Sequence, residues 1–323
     1  MAIPFSRIPN NLRTPLFFVE FDNSMANSAT ATQRSLILGQ MLDTATAKSA
    51  IPVRISSAEQ AASQFGHGSL LHGMTTAYLA NDVAAELWVL PLKDSESQIA
   101  ARGAIEITSM PTYSGVVSLY IAGQRVQLAV MATDKPAQVA ESLAAAINRK
   151  AALPVKAAAN INTVTLFAKN KGAHGNGIDI SLNFRGQAGG EETPTGMALR
   201  ITPMTGGVGA PELKDGLANL NDRAFDFIVN PYTDTVSLDE VKAFLSDTGG
   251  RWSWEQQLYG HAFSVISGTY GELPVFGSDQ ERREPAPWAS ISCVITMGTM
   301  AFLSARMAFP HRNRMPSMPR GIN

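Results

Sequence analysis

Lys48 and Ser49, in "LILGQMLDTATAKSA", are the residues of this chain nearest to a phosphate-binding pattern. A strand-like run, a glycine and then Lys-Ser mimic the loop that wraps nucleotide phosphates. That loop needs G-x-x-x-x-G-K-[ST], whose second glycine lets backbone N–H groups close on the phosphates. Here Ala47 precedes Lys48 and Gly39 lies too far upstream, so the stretch reads as a plain strand-to-helix loop. "GGVGAP" and "KGAHGNGID" are glycine-rich, but no helical pattern follows either. Both read as tight turns rather than dinucleotide fingerprints.

The histidines offer little more. His67 and His72 are five apart, which predicts different sides of a helix, and His174, His261 and His311 have no local partner at ligand spacing. No metal site is expected. A Ser-His-Asp set meets only in space, and Asp226, Asp234 and His261 lie near predicted strand ends, where doubly wound enzymes keep their sites. No G-x-S-x-G elbow is present, and "GHGS" at 66–69 lacks the second glycine. These residues read as turn and cap positions. The single cysteine, Cys293, excludes intrachain disulfides and thiolate-rich metal sites, and its apolar setting predicts a buried thiol. Nothing here demands a cofactor, and the reading is of a protein that is not an enzyme.

Composition points the same way. A net charge of −1 leaves no electrostatic footprint for nucleic acid or an anionic membrane. Charged residues make up 16% of the chain, against about 25% in a typical soluble domain. Much uncharged surface results, which suits burial against partners as well as an ordinary polar surface. No membrane span is expected: "PLFFVEF" is far shorter than the roughly 20 apolar residues a span needs. The run at 290–305 is also too short and too rich in Ser, Thr and Gly, and reads as a core helix. Nothing targets the chain to export, so synthesis and folding in the cytoplasm is the expectation.

The elements that would position these residues fall into three blocks. Residues 16–21 alternate as a strand after a Pro-punctuated lead. From residue 34, "SLILGQ" and "ELWVLPL" read as buried strands flanking one or two helices broken near 66–68, a βαβ unit. Ser56 and Glu59 have the capping-box spacing. "GVVSLYIAGQRVQLAVM" predicts a hairpin turning at Ala122-Gly123, and "PAQVAESLAAAINRK" an amphipathic helix with proline at its start. "TVTLFAKN", "IDISLNF" and "MALRITPM" are further strands. The α/β pattern then returns with a helix at 211–221, a strand in "FDFIVNPY", a capped helix in "SLDEVKAFLSD" and a strand in "HAFSVISG". The fold class is therefore α/β: a doubly wound, discontinuous core domain with an inserted, strand-rich α+β domain and an extended N-terminal arm. The expected boundaries are an arm at 1–15, a first core segment at 16–97, the inserted domain at 98–206, a second core segment at 207–307 and a basic tail at 308–323.

"IPNNLRTPLFFVEFDNSMA", "RSLILGQM", "PVRISSAEQAASQFGHGSLLHGM" and "VTLFAKNKGAHGNGIDISL" resemble, in order, the tail sheath proteins of Mu-like contractile phages. So do "FDFIVNPYTDTVSLDEVKAFLSD" and "RWSWEQQLYGHAFS", and the likeness runs from about residue 6 to about 305. The resemblance implies a structural virion protein of the tail, assembled from hexameric rings of itself stacked helically around a tail tube. Contraction would drive the tube through the host envelope without consuming nucleotide. It implies tail tube, baseplate and tail terminator proteins as partners, and an N-terminal arm that adds a strand to a neighbour's sheet. Pro4, Phe5, Ile8, Pro9 and Leu12 are the candidates for that intersubunit arm.

The end of the chain departs from the family. "RMAFPHRNRMPSMPRGIN" carries Arg306, Arg312, Arg314 and Arg320, three prolines and no acidic residue. A truncated or frame-shifted copy, or a designed chain, would account for it, and such a chain is expected to polymerise poorly. Two alternatives stay open at this point. One is an α/β hydrolase-like or nucleotide-binding enzyme with a decorating domain. The other is the sheath of a phage-derived tailocin or injection machine.

Overall fold

The computed structural model describes residues 33–81, 86–267 and 291–296. The strand expected at 16–21 and the arm candidates Pro4, Phe5, Ile8, Pro9 and Leu12 lie outside the described residues, as does His311.

β1 (Arg34–Gln40) is buried at every position after Arg34, which is what a strand covered on both faces requires. β2 (Val53–Ile55) is too short to carry a sequence signal. Helices α1 (Ala58–Phe65) and α2 (Leu70–Asn81) follow, and β3 (Glu86–Leu92) then runs parallel to β1 from Arg34↔Glu86 to Gln40↔Leu92. β2 lies antiparallel on the far side of β3 but reaches only Leu87–Val89. Pro91, with no N–H to donate, therefore sits beyond the paired stretch. The helix break falls where the glycines predict it: Gly66 takes φ 91° and its N–H closes on Ala62 O. The cap is Ser57, one residue later than the Ser56/Glu59 spacing suggests. Ser57 accepts from the Gln60 N–H at 3.2 Å, and Gln60 Oε1 accepts from the Ser56 N–H at 3.0 Å.

The middle of the chain builds two antiparallel sheets. Its elements are β4 (Arg102–Ser109), β5 (Gly115–Ile121), β6 (Gln124–Val130), α3 (Pro136–Arg149), β7 (Val155–Asn160), β8 (Thr163–Ala168), β9 (Ile180–Leu182) and β10 (Ala198–Thr205). One sheet has the order β10-β4-β8-β7, the other β6-β5-β9. The β5–β6 turn uses Ala122 at φ 51° and Gly123 at φ 73°, the pair of positive values whose twist matches a two-residue hairpin. α3 begins at a proline, whose missing N–H is an orphan in any first turn. Its buried stripe, Val139, Ala140, Leu143, Ala144 and Ile147, closes an apolar core with Ile105, Leu119, Val164 and Leu166.

The chain then returns to the first sheet. α4 (Lys214–Ala218) is the helical portion of the stretch expected at 211–221. β11 (Phe227–Asn230), α5 (Thr235–Leu245) and β12 (His261–Ser267) follow, and Asp234 caps α5 by accepting from the Ser237 N–H at 3.0 Å. Ile291–Thr296 is a strand, β13, parallel to β12, and over these residues this corrects the helix expected at 290–305, the rest of which lies outside the described residues. "ISCVIT" is rich in β-branched residues, and an apolar run of this length has no periodicity that separates strand from helix. The resulting six-stranded sheet has the order β13-β12-β11-β1-β3-β2, parallel except for β2. A second apolar core surrounds it, with Leu36, Leu38, Phe65, Leu71, Leu90, Leu217, Ile228 and Val241 among its members. The protein is a mixed α/β chain whose two apolar cores meet across a polar layer.

Candidate functional site

From β1 the chain crosses to β3 on one side, while β11 lies on the other. In parallel sheets, ligands bind outside the carboxyl ends of the strands at such a reversal. Three polar residues stand there because each apolar strand runs out into one: Gln40 ends β1, Asp94 follows β3, and Asn230 ends β11 just before Tyr232. Asn230 and Tyr232 lock their own turn. Asn230 Nδ2 donates to Tyr232 O at 2.8 Å, and the Tyr232 N–H donates to Asn230 Oδ1 at 3.2 Å.

The space beyond these ends is filled by the strand-rich middle of the chain. Asn170, just after β8, is 4% exposed and makes three bonds. Its Oδ1 accepts from the Leu70 N–H at 2.9 Å, and its Nδ2 donates to Met41 O at 2.9 Å and Asp94 Oδ1 at 3.2 Å. Asp94 also accepts from Gln40 Nε2 at 2.6 Å and from the Lys171 N–H at 2.8 Å. Gln40 Nε2 reaches Lys171 O at 2.9 Å and Gln98 Oε1 at 3.3 Å. Burial pushes the Asp94 carboxyl up, against the pull of its donors Lys171, Asn170 and Gln40. Burial likewise raises the Tyr232 phenol well above its ordinary value, with the Asp94 and Asp234 charges adding to the effect. The Tyr232 hydroxyl donates to Gln40 Oε1 at 3.4 Å. His174 packs edge-on at 6.4 Å from the Tyr232 ring, and burial lowers its imidazole to about 4. The groups that elsewhere would face a substrate here bond to one another across the boundary between the two cores.

The two glycine-rich segments belong to the same junction. "GGVG" and "KGAHGNG" lie against each other: the Ala173 N–H donates to Gly209 O at 3.0 Å, and the Gly207 N–H to Asn176 Oδ1 at 2.7 Å. Asn176 Nδ2 returns a bond to Gly207 O at 2.9 Å. A Cβ on Gly207 would stand 2.4 Å from Gly172 O, so close backbone approach explains that glycine. Ile99 and Val208 exchange both N–H···O bonds, tying the inbound and outbound chain together at the edge of the junction.

The residues that the sequence suggests for chemistry are scattered. Lys48 and Ser49 lie in the loop from β1 to β2, a strand-to-strand connection with no helix behind it. Ser69 Oγ accepts from the His72 N–H at 3.0 Å as a helix cap. His67 and His72 are brought together, with ring centroids 5.8 Å apart, because His67 sits in the turn before α2 rather than on a helix. The Gly68 N–H donates to His72 Nδ1 at 3.2 Å, and no group of three potential metal ligands occurs among the described residues. Asp226 and His261 meet at the amino ends of β11 and β12, where Asp226 Oδ2 accepts from the Arg34 N–H at 2.8 Å. Asp234 stands beyond the opposite end of β11 as a helix cap. Cys293 lies in β13. Sequence reasoning does not single out Gln40, Asp94, Gln98 or Asn170. Their one signal is that Gln40 ends an apolar run with a polar side chain.

The chain is 35% identical over 320 residues to the tail sheath protein of the Mu-like prophage FluMu of Haemophilus influenzae. That match covers 95% of this chain and 64% of the relative's length. No family model matches. Two solved structures give low similarity. The sheath tail protein of Desulfitobacterium hafniense is 14% identical with a TM-score of 0.32, over 86% of this chain and 55% of that one. The sheath tail protein of Listeria innocua is 14% identical with a TM-score of 0.28, over 75% and 49%.

Proposed function

We propose, from the premise that this chain is a relative of the Mu-like tail sheath proteins, that it is a structural subunit of a contractile tail sheath. The observation that carries the proposal is identity sustained at 35% along 95% of the chain. The junction agrees with a mechanical role. Asp94, Asn170 and Gln40 join two cores by bonding to one another, which suits a body that must move as a unit under load. The subunit is non-enzymatic in this reading. It acts in the virion tail after assembly in the host cytoplasm, as hexameric rings stacked around a tail tube, with baseplate and tail terminator proteins at the ends. Among the described residues no helix is long and apolar enough to cross a membrane.

In the same reading the parallel sheet is a doubly wound core, formed by 16–97 and 207–307 and interrupted by an inserted domain at 98–206. The Ile99–Val208 bridge supports these limits, since it joins the chain at the two expected boundaries. Immunogold labelling of tails from an induced lysogen that carries this gene tests the proposal. Gold is expected along the outer surface of extended and contracted tails, and tails left bare while gold decorates another structure would overturn it. Residues 1–15 are the proposed arm, with Pro4, Phe5, Ile8, Pro9 and Leu12 making the link. Deleting them is expected to abolish incorporation into sheaths while moving the thermal transition by less than about 2 °C, a shift that corresponds to a small fraction of a domain's stability. A deletion that unfolds the subunit would assign the arm to its own fold.

A further inference from the structure

The loop between α5 and β12, residues 246–260, is held in one shape by its own side chains. Arg251 is 5% exposed, and its guanidinium donates to Asn221 O and Arg223 O. It also lies over the Phe225 and Phe244 rings, 5.9 and 5.0 Å from their centroids. The Leu258 N–H donates to Arg251 O at 2.8 Å, which closes the loop on itself. The Trp252 indole donates to Gly260 O at 3.1 Å and packs edge-on against Tyr259 at 5.6 Å. On this frame Trp254 is 80% exposed and Tyr259 is 61% exposed. Large, rigid aromatics lose little conformational freedom when they are covered, and such residues dominate the energetics of contact surfaces.

Sheet register fixes where this loop stands. Ser35 of β1 pairs with Phe227 of β11, and Phe227 pairs with His261 of β12. Tyr259, just before His261, therefore lies at the end of the sheet where the described chain begins at residue 33. β1 and β12 flank β11, and with neighbouring strands about 4.8 Å apart they start about 10 Å from one another. Residues 22–32 reach up to about 36 Å when extended, at roughly 3.3 Å per residue. The apolar run at 16–21 is thus within reach of the loop, and so short a tether holds it there at an effective concentration on the order of millimolar. A second stretch arrives at this end of the sheet, leading into β13 at Ile291. It carries Glu272, Asp279, Glu281, Arg282, Arg283 and Glu284, which suits solvent rather than an aromatic surface.

We propose that the loop at 246–260 is a docking surface for residues 16–21 of the same subunit, whose apolar side chains cover Trp254 and Tyr259. Leu16, Phe17, Phe18, Val19 and Phe21 leave Glu20 as the one charge in that run. Each side of the contact then removes from water the apolar area that the other leaves exposed. The contact is intramolecular and holds whatever the chain assembles into. It also gives the Pro-punctuated lead, residues 1–15, a fixed root on its own subunit from which to reach a neighbour.

Photo-cross-linking of the full chain tests the contact. With benzoylphenylalanine in place of Trp254, or of Tyr259 in a second variant, irradiation should join the probe to the tryptic peptide 14–34. A mixture of nitrogen-15-labelled and unlabelled chains identifies the donor of that peptide, and every adduct should be wholly heavy or wholly light. Mixed adducts would place a second copy on the loop and overturn the proposal. Adducts confined to residues 268–290, or no adduct at all, would overturn it too. The reverse probe, in place of Phe17, should mark residues 252–259 and keeps the test open if a loop variant fails to fold. Phe17→Ser combined with Phe21→Ser should remove most of the adduct formed at Trp254, and an undiminished yield would count against the docking.

Discussion

Asn170→Ala is expected to lower the free energy of unfolding by about 3 kcal/mol or more, because three buried bonds are lost at once. Leaving a buried donor or acceptor unpaired costs about 1–3 kcal/mol each. The truncation strands the Leu70 N–H at the start of α2, Met41 O after β1, and one bond to Asp94. These groups come from different regions of the chain and cannot repair one another locally. Chemical denaturation of the purified variant measures the loss, and a change below about 1 kcal/mol, the size of a single ordinary hydrogen bond, would show that the junction carries little. Asn170→Asp separates charge from shape. An Asp carboxylate still accepts from the Leu70 N–H, but its other oxygen faces Met41 O and the Asp94 carboxylate instead of donating to them. Its deficit relative to the native chain should be largest near neutral pH and shrink as acid protonates one of the paired carboxyls.

The second large effect is on acid stability. His174 sits at about 4 when folded, against 6.5 for the ordinary imidazole, and burial is the cause. As pH falls below 6.5 the unfolded chain takes up this proton while the folded chain does not. The native state therefore keeps its full stability above pH 6.5 and loses it progressively down to about 4. One pKa unit is about 1.4 kcal/mol, so the loss reaches about 3 kcal/mol at most. His72 and His261 act with the same sign, since burial lowers both and the His67 and Lys169 charges add to the effect at His72. Asp94 opposes them, because its carboxyl is raised by burial and acid favours the fold through it. His174→Phe isolates the histidine: thermal transitions recorded from pH 7.5 to 4 should fall less steeply in the variant than in the native chain. Parallel slopes would mean that His174 is solvated when folded.

Much of this architecture is legible in the chain because it follows from local chemistry. The type of turn at Ala122-Gly123, the amphipathic stripe of α3 and the helix break at Gly66 depend on neighbours within a few residues. The buried runs of β1 and β3 are legible for a related reason, since a strand covered on both faces must be apolar throughout. The cap at Ser57 differs from the expected one by a single position, because Ser56 and Ser57 both offer a hydroxyl and only backbone geometry chooses between them. β2 has three residues, too few for any pattern. β13 reads as a helix in sequence because a short apolar run suits either form. Its pairing with β12 settles the matter, and no local pattern announces that pairing.

The resemblance to tail sheath proteins is also carried by the sequence alone, in ordered segments that the 35% identity makes quantitative. What only the tertiary structure decided is the junction. Gln40, Asp94, Gln98 and Asn170 have no mutual spacing, and each by itself is an ordinary polar residue at the end of a strand or in a loop. Their bonds span separations of 54 to 131 residues. Hydrogen bonds impose no periodicity on the chain, so such a layer leaves no trace until folding brings the two cores together. The same holds for the glycines of "GGVG" and "KGAHGNG". In sequence they suggest phosphate cradles and then turns; in the fold each clears the room that the other's backbone occupies.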